Sequence, residues 1–210
     1  MPLRFSLNAR ADRRACLCAF VVYTQETGGR FTTEVTILLA KFTLVLGGAA
    51  SGKSAFAEEL VVSTGKSRIY LATSQVLDDE MRDKVRRHVS QRGGGWRTVE
   101  APFELSDALA AAGSDEIVLL DCASMWLSNH LLAGNDLPDR QAALLEAIEA
   151  CPADVVVVSN EVGHGIVPDN ALARRFREAQ GRLNIALAAR AELVVMVTAG
   201  LPMTLKGTLP

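Results

Sequence analysis

From residue 42 onward, apolar and polar positions fall into blocks. Phe42-Thr43-Leu44-Val45-Leu46, Arg68-Ile69-Tyr70-Leu71-Ala72, Glu116-Ile117-Val118-Leu119-Leu120-Asp121, Val155-Val156-Val157-Val158-Ser159 and Glu192-Leu193-Val194-Val195-Met196-Val197-Thr198 are short and almost continuously apolar. Runs of that kind, without polar alternation, predict strands covered on both faces, as in a parallel sheet. Between them lie helical patterns at Ala55–Leu60, Glu104–Ala112, Ala142–Ala150 and 169–190. Residues 78–92 predict a further helix, but a highly charged one: only Met81, Val85 and Val89 recur at helical spacing, so it can bury a narrow face. Gly93-Gly94-Gly95 ends it, and Trp96-Arg97-Thr98-Val99-Glu100 predicts a short edge strand. Strands alternating with helices predict an α/β fold with one mostly parallel sheet and helices on both faces.

Composition narrows the class of partner. A chain of 210 residues suits one domain with a sizeable core. The net charge of −2 and sequence pI of about 6.0 lack the basic footprint of a protein that binds nucleic acid or an anionic membrane, so a small-molecule partner is expected. Cys16, Cys18, Cys122 and Cys151 form no C-x-x-C pair and no metal-ligand spacing, which suits packing roles in a reducing, cytoplasmic compartment. No apolar run reaches the eighteen or so residues of a membrane span. Arg4, Arg10, Arg13 and Arg14 precede the apolar run 15–22 in the order of a signal peptide, but no small-x-small cleavage site follows. Residues 1–40 therefore read as an extension or a mis-assigned start, and 41–210 as the functional domain.

The sharpest chemical signal is Gly47-Gly48-Ala49-Ala50-Ser51-Gly52-Lys53-Ser54, a full match to G-x-x-x-x-G-K-[ST] between a predicted strand and a predicted helix. Glycines let backbone N–H groups wrap a phosphate, Lys53 brings a cation to the β- and γ-phosphates, and the Ser54 hydroxyl suits Mg²⁺. Asp121 ends the apolar strand 116–121 as a Walker-B carboxylate does, giving a second Mg²⁺ ligand, direct or through water. Thr73 and Ser74, and Asn160-Glu161-Val162-Gly163-His164-Gly165-Ile166-Val167-Pro168, also follow strand carboxyl ends, where open α/β sheets bind ligands.

Together the motifs 46–54, Tyr70-Leu71-Ala72-Thr73-Ser74-Gln75, Leu77-Asp78-Asp79-Glu80-Met81 leading to His88, Leu120-Asp121-Cys122 and Asn160–Pro168 resemble those of the bifunctional adenosylcobinamide kinase/adenosylcobinamide-phosphate guanylyltransferase family. The resemblance runs from about residue 42 to 207. It implies a P-loop NTPase (RecA-like) domain that phosphorylates adenosylcobinamide and then transfers GMP from GTP to the product, giving adenosylcobinamide-GDP in cobalamin biosynthesis. It implies that His88 carries the GMP, that ATP or GTP feeds the kinase step with Mg²⁺, and that the protein is a homotrimer. It places the nucleotide on Gly47, Gly48, Ala49, Ala50, Ser51, Gly52, Lys53 and Ser54, on Ala72, Thr73 and Ser74, on Val89, Ser90, Gln91 and Arg92, and on Glu100 and Asp121. The chain departs from the family pattern at Asp121, often Glu, at Ala50, often Arg, and in its forty leading residues.

The implied chemistry is physically coherent. An imidazole with a pKa near 6.5 can attack phosphorus when neutral and leave when protonated, both near neutral pH. A covalent intermediate splits one transfer between two bulky phosphates into two steps. Taken alone, a histidine on a charged helix reads as a solvated or capping residue, so the role of His88 rests on the resemblance. His130 reads as a packing or helix-end residue, and Asn160 and Glu161 as residues shaping the acceptor site. A P-loop kinase without covalent intermediate uses the same loop and Asp121, while a GTP-sensing module lacks its usual Asn-Lys-x-Asp here.

Overall fold

A computed structural model describes residues 19–25, 31–75 and 94–210, with backbone alone for the stretches up to residue 37. The charged helix expected over 78–92, with His88, Val89, Ser90, Gln91 and Arg92, lies outside the described residues, as do Cys16 and Cys18. Strands β1 (Ala19–Gln25) and β2 (Phe31–Ile37) pair antiparallel, Ala19 opposite Ile37 and Gln25 opposite Phe31, in a two-stranded sheet of their own. The signal-like run 15–22 thus overlaps a strand in its second half.

The main sheet has seven strands. In chain order they are β3 (Phe42–Gly47), β4 (Ser67–Ala72), β5 (Trp96–Glu100), β6 (Glu116–Asp121), β7 (Asp154–Asn160), β8 (Leu193–Thr198) and β9 (Leu201–Lys206). Their spatial order is β5-β4-β6-β7-β3-β8-β9, and all neighbours run parallel except β8 and β9. This is the expected α/β P-loop architecture, in which β7 separates the phosphate-loop strand β3 from the carboxylate-bearing strand β6. Trp96–Glu100 is the edge strand its mixed composition predicts. The strand β9 was not legible as such. It is exposed throughout, and it joins β8 by a two-residue turn, Ala199-Gly200, with φ of 53° and 77°. Positive φ at both central residues is the backbone that matches strand twist in tight hairpins.

Helices α1 (Lys53–Ser63), α2 (Ser106–Ala110), α3 (Ala123–Leu132), α4 (Leu137–Ala150) and α5 (Ala171–Arg190) connect the strands. Side chains of β3 alternate between two cores. Leu44 and Leu46 face a core shared with Leu109 of α2, Trp126 and Leu127 of α3, Leu144 and Leu145 of α4 and Leu183 of α5, whereas Val45 faces Ala57 and Val61 of α1. A strand central in the sheet and covered on both sides can have no polar face, which is why Phe42–Gly47 is buried along its whole length. Each fully buried Leu or Val contributes about 1.5–3 kcal/mol through removal from water. Helix α4 begins earlier than the pattern predicts, because the Asp136 side chain accepts a bond from the Asp139 N–H and Pro138 lies in the first turn.

Candidate active site at the carboxyl edge of the sheet

The phosphate loop runs from the end of β3 into α1. Gly47 has no room for a side chain: a Cβ there would lie 2.4 Å from Ser51 Oγ and 2.7 Å from the Val197 carbonyl oxygen. Gly52 has a φ of 91°, in the left-handed region, and hands the chain to α1 with no side-chain cap and no acidic residue in the first turn. The first N–H groups of that helix are therefore left for an anion, and the helix dipole favours one. Gly48 O accepts from Ser51 N at 3.3 Å and from Lys53 Nζ at 3.1 Å, so the lysine folds back along its own loop. Among the described residues the buried Ser51 Oγ has no hydrogen-bond partner, and as a hydroxyl in this loop it is of a kind that suits a phosphate oxygen.

Strand pairing brings the other predicted residues to the same edge. Ala72 is in register with Glu100 on one side and Asp121 on the other, while Gly47 is in register with Asn160 and Val197. Glu100 is exposed, Asp121, Ser74 and Asn160 are half-buried, and Thr73 is fully buried. Thr73 Oγ1 donates to Cys122 O at 2.8 Å and accepts from Cys122 N at 2.9 Å, tying the end of β4 to the residue after Asp121. Thr73 thus acts here as a brace. The Glu161 N–H donates to Gly47 O at 3.0 Å, fastening the Asn160–Pro168 loop beside the phosphate loop.

A set of polar residues not singled out from sequence supports this edge. Asn129 Nδ2 donates to both Thr73 O and Pro102 O at 2.8 Å, joining the ends of β4 and β5 from α3. Ser124 Oγ accepts from Asn160 N at 2.8 Å. Asn184 Nδ2 donates to Asn160 O at 3.0 Å, and its Oδ1 accepts from Ser159 Oγ at 2.6 Å and Gln180 Nε2 at 2.9 Å. Their available signal was a buried polar residue at helical spacing among Trp126, Leu127, Leu183 and Leu187.

Two neighbouring groups are held uncharged. Burial, with the Asp121 charge beside it, pushes the Cys122 thiol up to about 12, which suits packing rather than nucleophilic chemistry. His130 is buried, and burial lowers its pKa, matching the packing role expected for it. Asn135 Nδ2 lies 2.8 Å from its Nδ1 and Phe103 O lies 3.3 Å from its Nε2, so one neutral tautomer satisfies both contacts.

For Mg²⁺, the Ser54 hydroxyl at the start of α1 and the Asp121 carboxylate at the end of β6 are hard oxygen donors of the right kind. Among the described residues there is no cluster of three His, Cys, Asp or Glu able to hold a metal by itself. Mg²⁺ commonly uses one or two protein ligands together with water and substrate phosphates, so two such donors suffice. No helix among the described residues is long and apolar enough to cross a membrane.

The family model described as cobinamide kinase / cobinamide phosphate guanyltransferase matches residues 43–205. The bifunctional adenosylcobalamin biosynthesis protein CobP of Pseudomonas aeruginosa is 42% identical over 167 residues, covering 78% of this chain and 96% of that protein. The bifunctional adenosylcobalamin biosynthesis protein CobU of Salmonella typhimurium is 41% identical over 179 residues, covering 78% of this chain and 98% of its own length. The flagellar accessory protein FlaH from Methanocaldococcus jannaschii is a looser structural likeness, at a TM-score of 0.47 and 10% identity over 90% of this chain and 89% of that one. With the phosphate loop, Asp121 and the Asn160–Pro168 loop all inside the matched span, the chain belongs to the cobinamide kinase / cobinamide phosphate guanyltransferase family.

Proposed function

We propose that this protein phosphorylates adenosylcobinamide and then transfers GMP from GTP to adenosylcobinamide-phosphate, forming adenosylcobinamide-GDP. The observation that carries this reading is the gathering of Gly47–Ser54, Thr73, Glu100, Asp121 and Asn160 at one edge of the sheet within the family span. The phosphate loop and the N-terminus of α1 hold the triphosphate, and Lys53 neutralises charge on the leaving phosphates. Ser54 and Asp121 would hold Mg²⁺, which would supply further charge neutralisation to the phosphates. Ala72, Ser74 and Glu100 form the nucleotide-side wall, with the buried Thr73 bracing it from within, and Val89, Ser90, Gln91 and Arg92 are assigned to the nucleotide by the family resemblance.

In this reading His88 is the nucleophile of the second activity. Its neutral imidazole attacks the α-phosphorus of GTP, pyrophosphate leaves, and the resulting phosphoramidate is attacked by the phosphate of the acceptor, returning the imidazole. ATP or GTP serves the kinase step. The protein works in the cytoplasm, where both nucleotides are available, as a homotrimer, and residues 1–40 stand outside the catalytic domain.

The test is incubation with Mg²⁺ and GTP labelled at the α-phosphate, followed by denaturation, with His88→Ala in parallel. Protein-bound label that is stable to alkali, lost in acid, absent from His88→Ala and chased onto adenosylcobinamide-phosphate is the expected result. Absence of label from a protein that still phosphorylates an alcohol would leave a simple P-loop kinase instead.

A further inference from the structure

Helix α5 has two faces of different character. Gln180, Leu183, Asn184 and Leu187 are buried against the sheet, while Arg174, Arg177, Glu178, Gly181, Arg182 and Ile185 line an open groove of about 460 Å³ together with Gly163 and Val167 of the Asn160–Pro168 loop. Gly181 is the informative residue. A glycine inside a helix costs about 1 kcal/mol relative to alanine. Packing within the described chain does not require one here, because a Cβ at Gly181 would meet no heavy atom within 4 Å. Its effect is to keep the floor of the groove low between apolar walls, with Val167 65% and Ile185 72% exposed.

We propose that this groove receives the cobinamide acceptor, its macrocycle lying over Gly181 between Val167 and Ile185 and the phosphate that it gains in the kinase step turned toward the arginine rim. This inference rests on the function proposed above. Three observations favour a large amphipathic phosphate ester as occupant. The groove is open, so its volume of about 460 Å³ seats one face of a large molecule without having to enclose it. The loop that forms one wall is fastened to the phosphate loop by the bond from Glu161 N to Gly47 O, and Gly163 follows two residues later, within about 7 Å of extended chain. The rim is cationic: Arg174 Nη1 donates to Pro168 O at 2.9 Å and Asp169 O at 2.6 Å, Arg177 Nη2 donates to Gly163 O, and Arg182 pairs with Glu178. Each guanidinium has five N–H donors, so these contacts brace the loop and leave donors for a phosphate. A second copy of the chain would instead bury Val167 and Ile185 against itself, and sedimentation separates that case.

The experiment compares Gly181→Phe, Gly181→Ala and Ile185→Asp with the wild type in cobinamide phosphorylation and in GTP binding. Filling the groove with Gly181→Phe should raise KM for cobinamide at least tenfold, Ile185→Asp severalfold and Gly181→Ala less than twofold, with the Kd for GTP unchanged in all three. Neither position packs in the core, and an unchanged Tm establishes that each variant is folded. A wild type that turns over cobinamide while folded Gly181→Phe and Ile185→Asp keep its KM would overturn the groove alone. A change in sedimentation mass with KM unaltered would also overturn it, in favour of a contact between copies. A wild type inert toward cobinamide would overturn the function on which the groove rests.

Discussion

Thr73 and Cys122 exchange two hydrogen bonds through a single hydroxyl, which donates to the Cys122 carbonyl at 2.8 Å and accepts its N–H at 2.9 Å. The pair lies at the carboxyl ends of adjacent strands, one residue beyond Ala72 and Asp121, which are in register. Thr73→Val keeps the shape and removes the hydroxyl, leaving both Cys122 backbone groups buried without this partner. We expect a loss of about 2–3 kcal/mol in urea unfolding, together with a lower kcat because Asp121 loses its neighbour's anchor. Thr73→Ser should restore most of both.

Asp121 is the metal-side carboxylate of the proposed site. Asp121→Asn should lower kcat/KM about a hundredfold at fixed Mg²⁺, equivalent to about 2.7 kcal/mol of barrier, with part of the loss recovered as Mg²⁺ is raised. Asp121→Glu, which lengthens the side chain but keeps the charge, should retain most activity. Chelation with EDTA should stop nucleotide turnover in the wild type, and added Mg²⁺ should restore it. Titration of initial rate against free Mg²⁺ distinguishes the variants.

The Asn184 amide ties Ser159, Gln180 and the Asn160 carbonyl together beneath the Asn160–Pro168 loop. Asn184→Leu removes that anchor and strands buried polar partners, so a loss of about 2–3 kcal/mol in stability is expected. The more telling readout is kinetic. KM for the acceptor should rise while the Kd for GTP stays within twofold of wild type, because the network holds the Asn160–Pro168 loop and not the phosphate loop.

His130 gives a pH dependence with a defined sign. Its pKa is lowered by burial, so the unfolded chain binds the proton more readily than the folded one. Stability from this residue is complete above the ordinary histidine value of 6.5 and is lost as pH falls below it through the lowered folded value. Urea midpoints between pH 8 and pH 5 should therefore fall more steeply for the wild type than for His130→Phe. That replacement also keeps an aromatic ring beside Phe103 and Trp126, whose ring centroids lie 5.3 and 4.6 Å from that of His130.

Much of the sheet was legible because burial on both faces leaves the middle of a strand, residues 44–46 or 155–158, no exposed position for a polar residue, and that run survives in the sequence as a block. Helix α3 was less legible. Its apolar residues Trp126, Leu127 and Leu131 are interleaved with Ser124, Asn129 and His130, which are buried because they bond to neighbouring loops. Local periodicity carries no information about such partners. Strand β9 was missed for the opposite reason: it is exposed, contains Pro202, and is a strand only because β8 lies beside it.

By itself, the sequence determined the phosphate loop, the carboxylate at the end of Glu116–Asp121 and the alternation of strands with helices, because each depends on residues close together along the chain. The tertiary structure decided that Glu100, Ala72 and Asp121 stand in one row, that β7 separates the two nucleotide-binding strands, and that Asn129 and Asn184 hold the loops around them. Those relations come from strand order and register, and these are chosen by how apolar faces from distant segments pack together and not by any one segment.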